Sequence, residues 1–339
     1  MARHIGQVPQ LSPDYAYVAG MTTPRAAVGL CFDRTFPAPL VLDVARELDR
    51  GGADQLWVIE DCFYTAGVSL TAAALAVTER LTVGLGILPA VARNPAVTAM
   101  ELATLCALAP GRFLPGIGHG VQDWMGQMGA RPPSPVTTLE EVLVAVRRLL
   151  AGERVTTHGR HVDLDDVQLD QPPADPPPLL AGVRGPRSLA MAGRVAGGVV
   201  LAEPASPSYV RWALDRAGRP AGFHVAVFSA FRVEATREEA YRAMAPWLAD
   251  QLVSAGPAIL TLPFADDLLE LAARSGVDGL ATMPPDWWSE IGPIGTLDDA
   301  AAHVAALEAA GVHSIGLFPP PDRTIAASHL PHALALATR

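Results

Sequence analysis

The side chains best equipped for chemistry fall in a few short segments. Glu60-Asp61-Cys62-Phe63 sets two adjacent carboxyls beside a thiol, PAVARNP carries Arg93 and Asn94, and GIGHGVQDWM places His119 between Gly118 and Gly120. Adjacent acids at a strand end suit general acid–base work, although side-chain alternation lets at most one of them face a common site. Both also fit ordinary loop acids that cap a helix, and Arg93-Asn94-Pro95 also reads as the opening of one. His119 fits a structural histidine, but its flanking glycines would let a ligand approach the backbone closely. Cys62 reads as a small hydrophobe. The stretch GVRGPRS is more informative. A strand ending in Gly182-Val183, a turn through Gly185 and a helix opening at Pro186 would aim free backbone N–H groups at an anion, with Arg184, Arg187 and Ser188 beside them. That is the chemistry of a phosphate cradle.

What the chain lacks narrows the field. Its 25 Lys-or-Arg positions are all Arg; the chain contains no Lys. Schiff-base enzymes and phosphate loops with a catalytic Lys are thereby excluded. No His/Cys/Glu group has zinc spacing and no G-x-S-x-G elbow is present, so no metal site is expected and a hydrolase finds no nucleophile. A bound redox cofactor then fits best, since it supplies the hard chemistry while the protein supplies orientation and electrostatics. The formal net charge of −10 argues against nucleic acid or an anionic membrane as partner. Neither a long apolar run nor a signal-peptide core is found, and Cys31, Cys62 and Cys106 form no disulfide framework, so the expected location is the cytoplasm.

These segments must be positioned by something regular. Short apolar runs at 26–32, 55–59, 81–88, 112–117, 178–183, 198–202, 224–233 and 314–318 read as strands. They alternate with helical patterns such as 39–50, 70–79, 95–108, 139–151 and 296–310, and Gly51 and Gly311 read as stops. Eight strands separated by helices predict a (β/α)8 barrel, with working residues just after the strands. A Rossmann fold would need glycines directly after the first strand, where this chain has CFDRTFPAP. Two stretches interrupt the alternation: about 152–178, with a hairpin VTTHGRHVDL turning at His158-Gly159, and about 235–288, a helical excursion containing Trp287-Trp288. Both are expected as insertions within one barrel domain, before strand five and between strands seven and eight.

The runs LWVIEDCF, LTVGLGILPAVARNPAVTAMELATLCALAPGRFLPGIGHG, AGVRGPRSLAMAGRVAGGVVL and GPIGTLDDAAAHVAALEAAGVHSIGLFPP resemble the luciferase-like monooxygenase superfamily, in order, over about residues 26–320. The resemblance implies a TIM barrel of the bacterial luciferase type with FMN or the deazaflavin F420 across its C-terminal face. It implies that Gly182–Ser188 hold the cofactor phosphate. Gly86-Ile87 would lie under the ring, where some members have a non-proline cis peptide, and His119 with its glycines would line the ribityl chain or substrate. Many relatives carry an Asp-Gly pair where this chain has Gly197-Gly198, and His after the acid where it has Asp61; the second departure leaves the proton donor open. The leading expectation is an F420-dependent oxidoreductase moving a hydride to or from a small organic substrate. The alternatives are an FMN-dependent monooxygenase and an inactive flavin-binding protein. A homodimer is implied by family habit.

Overall fold

The structure, a computed structural model, describes residues 25–339; the N-terminal segment read above for a signal peptide lies outside the described residues. In chain order the first half runs β1 (Ala27–Phe32), α1 (Leu40–Gly51), β2 (Gln55–Val58), α2 (Gly67–Ala76), β3 (Thr82–Pro89), α3 (Pro95–Leu108), β4 (Phe113–Gly118), α4 (Gln122–Gln127), α5 (Pro135–Leu150), β5 (Val155–His158) and β6 (Asp163–Val167). The second half runs β7 (Leu180–Gly182), α6 (Pro186–Val195), β8 (Gly198–Leu201), α7 (Pro207–Ala217), β9 (His224–Ala230), β10 (Arg232–Val233), α8 (Arg237–Val253), α9 (Pro257–Leu260), α10 (Ala265–Ala281), α11 (Pro285–Ile291), β11 (Ile294–Gly295), α12 (Leu297–Ala309), β12 (Ser314–Phe318) and α13 (Arg323–Ala337). The strands close into a parallel barrel in the order β1-β12-β9-β8-β7-β4-β3-β2, the expected eight-stranded architecture.

Two apolar compartments hold the barrel. Its outer strand faces pack on the helices, through residues such as Leu48 on α1, Leu102 on α3 and Leu149 on α5. Its interior holds Cys31, Trp57, Ile59, Leu180, Val200, Ala226 and Phe228, with Ile87 and Phe318 against them. Small residues make room for this filling. A Cβ on Gly84 would stand 2.3 Å from the Trp57 ring. Beneath Trp57 the filling turns polar: the indole N–H donates to Gln55 (3.0 Å), whose amide donates to Ser314 (2.9 Å). His224 also bonds Ser314 and stacks on His313 at 5.2 Å.

Several boundaries shift from the sequence expectation. The apolar run 224–233 is two strands, because the chain leaves the barrel after Ala230 and β10 pairs with β11 instead. The first helix stops at Gly52 (φ 83°); Gly51 is small because a Cβ there would meet Leu334 at 2.6 Å. The hairpin β5–β6 forms, but its turn spans Gly159–Val162, where Gly159 N–H donates to the Val162 carbonyl. Glu141 on α5 accepts three amides of this turn, those of Arg160, His161 and Val162. Burial alone would raise its carboxyl, but the three donors hold it low.

The excursion between β10 and β11 has its own apolar cluster, built from α8, α9, α10 and α11. Trp288 is fully buried there and stacks on Tyr241 (5.1 Å, 12°), while Trp287 stacks on Phe264 (4.5 Å, 4°). Both are packing residues of the insertion. No helix among the described residues is long and apolar enough to cross a membrane.

Candidate active site

The C-terminal strand ends open into a cleft of about 490 Å³. Its apolar wall, Ile59, Ile87, Val200, Phe228 and Phe318, is the upper layer of the barrel interior, so one packing unit closes the core and floors the cleft. The Gly86–Ile87 peptide is cis. Ile87 lies in a bed of glycines: Cβ atoms added to Gly182, Gly118 and Gly116 would approach its side chain to 2.7, 2.8 and 3.1 Å. A Cβ on Gly86 would stand 2.6 Å from Phe228. Gly120 adopts φ 68° and turns the chain behind His119. A hollow of about 540 Å³ outside α1 is lined by solvent-facing charges such as Asp43, Arg46 and Glu47, away from the strand ends.

Glu60 and Asp61 both line the cleft, contrary to the alternation argument, because β2 ends at Val58 and the strand period no longer applies to them. Neither carboxylate is free. Arg93 grips both oxygens of Glu60, the second at 2.9 Å, and also pairs with Glu101; Glu60 accepts Gly67 N–H at the start of α2 (2.8 Å). Asp61 pairs with Arg34 at 2.7 Å. The Arg34 guanidinium lies 4.9 Å from the Tyr64 ring centre and 5.8 Å from that of Trp124, a cation–π contact at the cleft rim. These acids hold the mouth's arginines in place. The Cys62 thiol beside them is pushed up by burial and by both carboxylates, so it stays protonated.

His119 joins two helix starts across the cleft. Its Nδ1–H donates to the Pro135 carbonyl in the first turn of α5 (3.2 Å), and Nε2 accepts the Ser188 hydroxyl from the first turn of α6 (3.0 Å). Burial pushes its pKa down, consistent with a neutral ring in this tautomer. The α6 N-terminus could hold an anion. Gly185, its N-cap, makes no side-chain cap bond, and open space lies where a Cβ would stand. Arg184 precedes it without an ion pair among the described residues, its carbonyl held by the Tyr209 hydroxyl (3.1 Å). Burial pushes that phenol up to about 12 against the opposing pull of Arg184.

Glu203, two residues past β8, completes the wall. Burial holds its carboxyl above the usual carboxylate range, against the lowering effect of Arg184.

The fold thus brings together Glu60, Asp61, His119 and Ser188 with the stretches Gly86-Ile87 and Gly182–Gly185 on one cleft. Three sequence candidates lie elsewhere. Asn94 caps α3, its side chain accepting Ala96 N–H at 2.9 Å. Gly118 is consumed by packing under Ile87, and Arg187 is an exposed side chain outside the cleft lining. The reading missed Arg34, Val200, Phe228 and Phe318 and gave Glu203 no role. The position of Arg34, just past the first strand, was the available signal.

Residues 20–314 match the family described as luciferase-like monooxygenase. The chain is 31% identical over 174 residues to a 5,10-methylenetetrahydromethanopterin reductase of Methanolobus tindarius, covering 51% of this chain and 53% of that one. It is 31% identical over 154 residues to an F420-dependent glucose-6-phosphate dehydrogenase of Nakamurella multipartita, covering 42% and 45%. The matches therefore span about half the length of these curated relatives. In fold it is similar to a solved F420-dependent secondary alcohol dehydrogenase in complex with an F420–acetone adduct, with TM-score 0.74 and 19% identity over 93% of this chain and 99% of that one.

Proposed function

The chain belongs to the luciferase-like monooxygenase family, and from that membership we propose that it is an F420-dependent oxidoreductase moving a hydride between the deazaflavin and a small organic substrate. The observation that carries the reading is the pairing, in one cleft, of an uncapped helix start at Gly185 beside Arg184 with an apolar bed of Ile87, Val200 and Phe228. A phosphate-bearing planar cofactor needs both. Gly182, Val183, Arg184, Gly185 and Ser188 would hold the phosphate, and Gly86-Ile87 would lie under the ring. When bound, F420 supplies a two-electron hydride carrier that reacts poorly with oxygen. His119 keeps Ser188 oriented in the first turn of α6, and the Arg93–Glu60 pair keeps the loops after β2 and β3 fixed around the cleft.

The activities of these relatives favour F420 over FMN, while the monooxygenases of the family favour an FMN-dependent monooxygenase as the second reading. Titrating the protein with each cofactor, then following oxygen uptake with reduced FMN, separates them. F420 binding without oxygen uptake supports the proposal. FMN binding with oxygen uptake replaces it with the second reading, FMN binding without uptake points to a flavin-binding protein, and binding of neither at micromolar concentration removes the cofactor assignment.

We further propose one barrel domain carrying the insertions, a cytoplasmic location in keeping with three free cysteines, and a homodimer. The dimer rests on α3, which exposes Val97, Met100 and Leu108 along its outer side. Light scattering of M100E against the parent chain tests it: a dimer that becomes monomer supports this face, and an unchanged dimer moves the interface elsewhere.

A further inference from the structure

Among the described residues the cleft is lined by three carboxyl groups, and two of them are committed. Glu60 is bound by Arg93 and Gly67, and Asp61 by Arg34. Glu203 differs. It stands on the cleft wall, partly buried, and among the described residues it makes no ion pair and no hydrogen bond to another residue. A carboxyl so placed has both a lone pair and a proton position facing the cleft.

We propose that Glu203 is a catalytic residue, the one that takes and gives the proton when hydride transfer occurs at a carbon bearing a hydroxyl or carbonyl oxygen. This rests on the oxidoreductase reading above and narrows its substrate class to carbinols and their carbonyl partners. In the oxidising direction the carbinol C–H bond breaks with both electrons, and the hydride passes to the carrier. The O–H bond breaks and its proton goes to the Glu203 carboxylate, and the C=O bond forms. The substrate loses two electrons and the carrier gains them; the reverse direction returns the proton from Glu203 to the new alkoxide oxygen.

The surroundings suit a group that exchanges its proton. Arg184, on the loop after β7, favours the carboxylate, and Arg34 does so more weakly with its charge directed at Asp61. Asp61 itself and the closed packing around the β8 end favour the acid. Cys31 on β1 faces the same carboxyl, and burial, Glu203 and Asp33 push its thiol well up, so it brings no charge. Burial and Asp61 hold the proton on this carboxyl while Arg184 opposes them, so each protonation form has a partner in the cleft.

The test uses the full chain with glutamate labelled at the side-chain carboxyl carbon and followed by NMR as pH is varied. Glu203→Gln identifies the resonance, since it keeps the shape and the neutral form and so should fold. The expected resonance titrates above the ordinary carboxylate range. In F420-loaded protein with propan-2-ol as probe, E203Q is expected to keep the F420 affinity of the parent chain but to lose turnover by about 100-fold or more together with the pH-dependent limb. E203D should restore part of both. A resonance titrating as an ordinary carboxylate, or an E203Q protein with the parent pH profile, overturns the proposal. Failure of the parent chain to bind F420 would overturn the functional reading instead, and the NMR titration would still decide whether Glu203 is the proton-holding group of this cleft.

Discussion

At the scale of single residues, the cleft divides its charges between those that build it and those left to act. Glu60 is the clearest builder, a carboxylate removed from water and held by a fork of guanidinium donors. Arg93→Ala would leave that carboxylate buried without its counter-ion. Because Arg93 keeps 21% of its side chain exposed, the expected cost is near the low end for a broken buried pair, about 3 kcal/mol by urea denaturation. A cost under about 0.5 kcal/mol would mean that the pair is solvated. The arginines around the α6 start divide in the same way. Arg184 lines the cleft and Arg187 does not, so Arg184→Ala should weaken F420 binding by roughly 1.5–3 kcal/mol. Arg187→Ala should leave it unchanged, and equal losses in the two variants would count against the placement of the phosphate at this helix start. From sequence, both arginines had equal claims, because a spacing of three residues across a turn does not say which side chain points inward.

At the scale of elements, glycines decide how close the strands and loops come. Gly182 ends β7 where Ile87 of β3 needs room, and an added methyl would stand 2.7 Å from the isoleucine side chain. Gly182→Ala should lower the melting temperature by several degrees and shift Ile87, with a matching loss of F420 affinity. Normal melting and binding would show that β7 can move aside. Glu141 offers a second case, one side chain on α5 satisfying three amides of the hairpin turn. Glu141→Ala should speed amide exchange at Arg160, His161 and Val162 while leaving the barrel strands protected; unchanged exchange would mean that water replaces the carboxylate at no cost. Strand–helix alternation was legible because apolar periodicity is local. The departure of β10 from the barrel was not, since Phe231-Arg232-Val233 continues the same apolar pattern while pairing with a strand some sixty residues later.

At the scale of the whole molecule, acid stability should be governed by histidines buried in neutral form. His303 on α12 is 2% exposed, and its Nδ1–H donates to the Ser289 carbonyl at the end of the insertion (2.6 Å). Burial lowers it to about 4 against the pull of the Ser289 carbonyl, and His224 at the barrel bottom is likewise lowered to about 4 by burial and by His313. The unfolded chain takes up these protons near its ordinary pKa of about 6.5, whereas the folded chain resists them until about 4. Stability is therefore full above that upper value and falls as pH drops through the window between them. His303 alone should account for about 3 kcal/mol of the loss. His303→Gln should flatten the fall in urea midpoint between pH 6.5 and 4; a fall as steep as that of the parent chain would assign it to other groups.

Local pattern by itself determined the barrel, its insertions, the absence of lysine chemistry and the two glycine-rich loops that border the cleft. Each of these is readable from neighbours in sequence: periodicity, turn residues and residue inventory. The partners of the charged side chains were decided by tertiary structure alone. Glu60 belongs to Arg93, Asp61 to Arg34 and His119 to Ser188, at separations of 33, 27 and 69 residues. Whether a carboxyl is a structural counter-ion or is left open to the cleft depends on which guanidinium reaches it across the barrel mouth. That distance exists only once the strands have closed.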